Sequence, residues 1–114
     1  EPQITPDGLI YWQGWDASDG DYEVCRYTIG TGVHENLTDN TVDDCSPAVN
    51  STNNHLVWSQ WDGHDYEIYL YLFSTGTLTR ITDEDRDDTR PQVNSSGQIV
   101  WMKWDGSDYE VYSY

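Results

Sequence analysis

The chain is 114 residues long, enough for one domain, and sets 5 Lys+Arg against 21 Asp+Glu for a formal charge of −16. That balance excludes a nucleic-acid face, which phosphates require to be basic, and adhesion to anionic lipid. The apolar runs are too short for a transmembrane helix, so no membrane insertion is expected, while six Trp and nine Tyr argue against the disorder that low hydropathy would suggest.

The first repeat opens on Pro2-Gln-Ile-Thr, with a short strand expected over 3–5. A Pro6-Asp-Gly8 turn leads to the apolar Leu9-Ile-Tyr-Trp12 and then to Trp15-Asp16. Tyr22-Glu-Val24 forms a third strand, and Thr31-Gly32 turns the chain into a fourth that runs to Leu37-Thr-Asp39, before Asp43-Asp44. The second repeat restarts at Pro47-Ala-Val-Asn, with a strand over 48–50. It passes through Leu56-Val-Trp58, Trp61-Asp62, Tyr66-Glu-Ile68, Thr75-Gly76, Ile81-Thr-Asp83 and Asp87-Asp88. The third starts at Pro91-Gln-Val-Asn, with a strand over 92–94, and runs through Ile99-Val-Trp101 and Trp104-Asp105 to Tyr109-Glu-Val111. The prolines recur 45 and 44 residues apart, which divides the chain into repeats 1–46, 47–90 and 91–114. A period of this size, carrying short β segments and turn residues, is that of one propeller blade. Tyr66-Glu-Ile-Tyr-Leu-Tyr-Leu72 alternates at period 2, and the continuous apolar runs suit inner strands buried on both faces. The expected fold is all-β: two four-stranded antiparallel blades and a three-stranded third, one segment over 1–114, completed by oligomerisation or fibre stacking.

The order of proline, Asp-Gly turn, apolar strand, Asp-Gly-x-Asp-Tyr-Glu-Ile-Tyr, Thr-Gly and Leu-Thr-Asp resembles the TolB-type β-propeller repeat over the whole chain. The resemblance implies the architecture and leaves the function open, because such propellers serve as binding platforms, interaction modules and accessory domains of enzymes. Family members close a ring of about six blades, and this chain has fewer than three. Stacked repeats bury their faces only against neighbours. Two aromatic faces therefore stay open, along with a strand edge at Tyr109, Val111, Tyr112 and Tyr114. The chain itself is the first partner to consider, as a closed ring of two copies or a filament; a fragment of a longer propeller is the third arrangement.

Among single residues, Trp12/Trp15, Trp58/Trp61 and Trp101/Trp104 stand three apart, so the members of each pair face opposite ways on a strand. Blade-to-blade packing is the plainer reading, and carbohydrate stacking, a lectin-like platform repeated in every blade, is the alternative. Asp62/Asp65 and Asp105/Asp108 recur in short turns. Asp16, Asp19 and Asp21 stand in a turn two residues longer. Close carboxylates suit Ca2+, although Asp-Gly is also an ordinary hairpin turn. In the links, the carboxylates of Leu37-Thr-Asp39 with Asp43-Asp44, and of Ile81-Thr-Asp83 with Asp87-Asp88, are expected to accept N–H groups of a neighbouring blade, with cation binding around the propeller axis as the alternative and Arg86 and Arg90 partly neutralising the second copy. Cys25 and Cys45 are expected to form a disulfide, worth roughly 3 kcal/mol for a loop of about 20 residues. Sequons at Asn36, Asn50 and Asn94 offer glycosylation sites. With the cysteine pair they suggest a secreted or cell-surface chain. No catalytic motif stands out and no cofactor is called for; a piece of a propeller hydrolase or lyase is the least supported reading. The expected function is a non-catalytic extracellular module for self-assembly or adhesion.

Overall fold

The computed structural model describes residues 1–52 and 54–114. The first sheet is β1 (Gln3–Ile4), β2 (Leu9–Asp16), β3 (Asp21–Thr28) and β4 (Val33–Asn36). The second is β5 (Asp44–Val49), β6 (His55–Trp61), β7 (Tyr66–Leu72) and β8 (Thr77–Arg80), and the third β9 (Asp88–Val93), β10 (Ile99–Trp104) and β11 (Tyr109–Ser113). Every sheet is an antiparallel meander in chain order, and the described residues contain no helix. These are the blades expected from the repeat, the third with three strands.

Period 2 places alternate residues on opposite faces of each blade. Leu56 and Trp58 look back at blade one, where they pack with Tyr11 and Val24. Val57, Ile68 and Leu70 look forward and pack with Ile99 and Trp101 of blade three. Blade two is thus sandwiched, which is why Leu56-Val57-Trp58 reads as an unbroken apolar run.

The inner strands begin earlier than the sequence suggests, at Asp44 and Asp88 rather than after the prolines. Ser46-Pro47 and Arg90-Pro91 each stand opposite one tryptophan, Trp58 or Trp101, in a β-bulge. A bulge tolerates a proline inside a strand because the ladder is already interrupted there. Ser46 and Arg90 take up the local twist in the left-handed region, at φ 54° and 53°. This turns the Ser46 N–H outward to Gln13 Oε1 of blade one, at 2.9 Å.

The expected disulfide is absent: Cys25 and Cys45 are both free thiols. Cys25 sits within β3, paired in register with Asn36, and its Sγ lies 3.4 Å from Asn36 Oδ1. The expectation put both cysteines in repeat one, where strand three begins at the end at which strand four finishes. In fact β4 stops at Asn36, and the link crosses over so that Cys45 belongs to β5, opposite Ser59. The two thiols ride on different sheets.

Candidate functional site

The hairpin between the second and third strands is the richest site chemistry in each blade. Its first aspartate caps the turn. Asp62 Oδ1 accepts the N–H groups of His64 and Asp65 at 2.9 and 3.1 Å, and Asp105 Oδ1 those of Ser107 and Asp108 at 2.8 and 3.1 Å. Asp16 Oδ1 accepts the N–H and hydroxyl of Ser18 at 2.8 and 2.6 Å. Those donors hold all three carboxyls below the ordinary range, Asp62 down to about 2. The turn reading therefore accounts for the first aspartate of each loop.

The second aspartate behaves differently. Asp21 and Asp65 turn inward and are only 5% and 7% exposed. Burial, then the charges of Glu67 and Asp62, push Asp65 up to about 6. Two residues further on stands a glutamate whose importance the sequence reading missed. Glu23 and Glu67 are fully buried. The Thr38 hydroxyl donates to Glu23, and the Asn40 N–H does so at 3.0 Å. The Thr82 hydroxyl donates to Glu67 in the same way, joined by the Glu84 N–H at 3.0 Å. Each threonine hydroxyl also accepts a strand N–H, from Val24 or Ile68, at 2.8 Å. The glutamate of Tyr-Glu-Val/Ile and the threonine of Leu-Thr-Asp thus tie the inter-blade link onto the third strand. Their recurrence at fixed repeat positions was the available signal.

The link also reaches back, as expected: Asp43 Oδ1 accepts the Tyr22 N–H and Asp87 Oδ1 the Tyr66 N–H, each at 3.0 Å. Asp44 and Asp88 point inward, and each accepts the indole N–H of its own blade's first tryptophan, Trp58 or Trp101, at 2.7 Å. Burial, with the facing Glu23 carboxylate, pushes Asp44 up to about 7 despite donors from Asn40 and Trp58. Among the described residues, neither Arg86 nor Arg90 makes an ion pair with the acids of this link. Lys103 of blade three pairs with its Glu84, and Arg80 at the end of β8 places its Nη2 2.9 Å from Asp62, 3.2 Å from Glu67 and 2.9 Å from Asp83.

The tryptophan pairs divide as the spacing requires. Trp58 and Trp101 are buried between blades and stack on Tyr69 and Tyr112. Trp12 is half-buried and lies beside His34. The second members, Trp15, Trp61 and Trp104, make edge-to-face pairs with the cross-strand Tyr22, Tyr66 and Tyr109, with centroids 5.1–5.3 Å apart. Trp15 is the most open, at 60% exposed. A groove of about 720 Å³ runs between blades one and two, lined by Trp58, Tyr69, Tyr71, Phe73 and Arg26. Arg26 stands over the Phe73 ring at 5.3 Å.

Of the sequon asparagines, Asn36 and Asn94 are exposed. Asn50 is buried, its Oδ1 accepting the N–H groups of Asn54 and His55. Burial and the Asp43 charge push the Cys45 thiol up to about 11, so it stays protonated at neutral pH. Tyr109, Val111 and Tyr112 on β11, and Tyr114 just beyond it, are all exposed, and the strand lies at the edge of its sheet.

No protein-family model matches the sequence, and no curated protein does. Solved structures do match in fold. TolB from Acinetobacter baumannii aligns with a TM-score of 0.75 at 19% identity, over 98% of this chain and 28% of its own. A TolB-like protein from Agrobacterium tumefaciens aligns at 0.76 and 18% identity, over 96% of this chain and 42% of its own. A chain of a nidogen/laminin complex aligns at 0.69 and 13% identity, over 96% of this chain and 43% of its own. The likeness is to β-propellers, and this chain spans less than half the length of each.

Proposed function

We propose that this chain is a non-catalytic β-propeller module of a secreted or cell-surface protein, and that its work is assembly. On this reading the open face of blade three receives blade one of a second copy. One observation carries the proposal. Val57 and Ile68 of blade two are fully buried against blade three, whereas Val100 and Val111, the same positions one blade on, are 42% and 74% exposed. Trp104 and Tyr109 lie on that same open face. Within the chain, the forward face of one blade always meets the backward face of the next. Copies meeting head to tail repeat an interface the sequence already encodes, and such a contact closes into a ring or runs on as a filament. The nidogen/laminin match, a propeller fold within a complex of two proteins, is consistent with a binding role.

Light scattering at low and high salt tests this. A mass of two chains, lost on Val111→Glu, supports a closed ring. Large polydisperse particles point to a filament. A stable monomer at high salt, where repulsion between copies of charge −16 is screened, overturns self-assembly. A second reading, carbohydrate binding, draws on the aromatic groove between blades one and two and on the open Trp15–Tyr22 pair. Glycan binding that Trp15→Ala abolishes without unfolding the chain would favour it.

A further inference from the structure

The acidic hairpins of blades one and two are the same structure with one decisive change. In register, Tyr69 pairs with Arg80 and Cys25 pairs with Asn36, so blade one has a neutral asparagine where blade two has its guanidinium. Asn36 Nδ2 reaches Asp16 Oδ2 at 3.3 Å, the counterpart of Arg80 on Asp62, but brings no charge. Blade one also holds more negative charge, because its longer turn adds Asp19.

We infer that blade one binds a divalent cation of the Ca2+ type, held by Asp16, Asp19, Asp21, Glu23 and Asp39, at the place where blade two holds Arg80. Two observations support the site. Oxygens of Asp19, Asp21 and Glu23 all lie within 4.8 Å of one another, and so do those of Asp16, Asp19 and Asp39, with Asp19 common to both groups. Two oxygens on opposite sides of a Ca2+ at about 2.4 Å are about 4.8 Å apart, so this spacing is that of ligands sharing one ion. Asp21 is 5% exposed, and among the described residues no group donates a hydrogen bond to either of its carboxylate oxygens. A buried carboxylate in that condition calls for a partner, and the described residues supply none.

The chemistry selects the ion. The donors are hard oxygens without imidazole or thiolate, which sets Zn2+ aside. Carboxylates on a hairpin turn, a strand and a link make an irregular shell. Ca2+ accepts such a shell with six to eight oxygens, whereas Mg2+ demands a near-ideal octahedron. Blade two carries the related group Asp62, Asp65 and Glu67, but Arg80 already occupies its charge. Blade three carries Asp105, Asp108 and Glu110, all exposed. Of the three blades' groups among the described residues, that of blade one therefore takes the ion.

Calorimetric titration with CaCl2 after EDTA treatment, alongside thermal melts at matched ionic strength, tests the inference. The expected result is saturable binding of one Ca2+ per chain, with a rise in Tm that MgCl2 does not reproduce at equal concentration. Asp21→Asn and Asn36→Arg should each weaken binding by about tenfold or more, at least what losing an outer-shell partner costs, while Asp108→Asn leaves it unchanged. Asn36→Arg should also raise the Tm in EDTA, showing that the variant folds and that the site lacked a cation. A response that never saturates, or that matches MgCl2 and survives both variants, is surface screening and overturns the site. So does the absence of any response, or a stoichiometry of two or three, which would mean that Arg80 does not substitute for the ion.

Discussion

Blades one and two hold their links with the same device. A buried glutamate accepts a threonine hydroxyl and a link N–H, and an inward aspartate lies two residues before it. They differ in how the gathered negative charge is balanced. Blade two places a guanidinium between Asp62, Glu67 and Asp83. Blade one places Asn36 there and lengthens the turn with another carboxylate. A buried ion needs its partner close by, since desolvation otherwise exceeds what hydrogen bonds return. The lesson is that a repeat can fix its backbone hydrogen bonds through one set of residues and leave charge balance to a single variable position.

The largest effect should come from emptying the balanced node. Glu67→Ala removes the acceptor of Thr82, Glu84 and Arg80 together, and should cost about 3–5 kcal/mol in denaturant unfolding. The conservative pair is more telling. Glu67→Gln should destabilise, because it takes a charge from Arg80. Glu23→Gln, measured in EDTA, should be neutral or stabilising, because it removes one of several like charges. Equal losses for both would break the comparison. Arg80→Gln comes next, at about 1–2 kcal/mol for a charged hydrogen-bonded group that remains partly exposed. A loss no greater than the roughly 0.5 kcal/mol of an ordinary surface change would mean that Arg80 is decoration.

Much of this frame was legible in the sequence. Three prolines, three tryptophan pairs and three Tyr-Glu-Val/Ile segments gave the blade number and the incomplete third blade, because period and turn chemistry are local properties. The caps by Asp16, Asp62 and Asp105 were also within reach, since an aspartate bonding N–H groups two and three residues on is local too. The node was not. Glu67 and Thr82 are 15 residues apart and meet only through the register of β7 and the path of the link. Arg80 was not singled out, because only that register brings it onto the node. The cysteines misled for a related reason: the strand order expected of repeat one placed them near one another, but the chain changes sheets between them.

A pH experiment probes the same node with a smaller effect. Asp65 is pushed up to about 6 in the folded chain, first by burial and then by Glu67 and Asp62, against about 4 when unfolded. Between those values the folded state binds more protons than the unfolded state, so stability falls as pH rises. Asp65 therefore favours folding below about pH 4 relative to pH 7, and that advantage is lost as the carboxyl ionises through about 6. Asp65→Asn should flatten this part of a Tm profile between pH 4 and 7, with its largest gain over the parent at neutral pH. An unchanged slope would place the titration elsewhere and weaken the case that charge balance governs the node.

The smallest effect is expected at Trp15. Its ring is 60% exposed and packs edge to face on Tyr22, at the mouth of the turn that carries Asp16, Asp19 and Asp21. An aromatic pair of this kind contributes about 0.5–1.5 kcal/mol, and exposure places Trp15→Ala at the low end. If electrostatics hold the blade-one turn, the substitution should leave Ca2+ affinity within about twofold, a difference of roughly 0.4 kcal/mol, and lower the Tm only slightly. If the ring itself holds the turn in shape, Trp15→Ala will weaken Ca2+ binding as much as Asp21→Asn does. The two blades would then differ in aromatic packing rather than in charge. Trp61, half-buried in the equivalent pair with Tyr66, supplies the control: its removal should cost more stability, because it is more buried than Trp15, and should leave Ca2+ binding by blade one untouched.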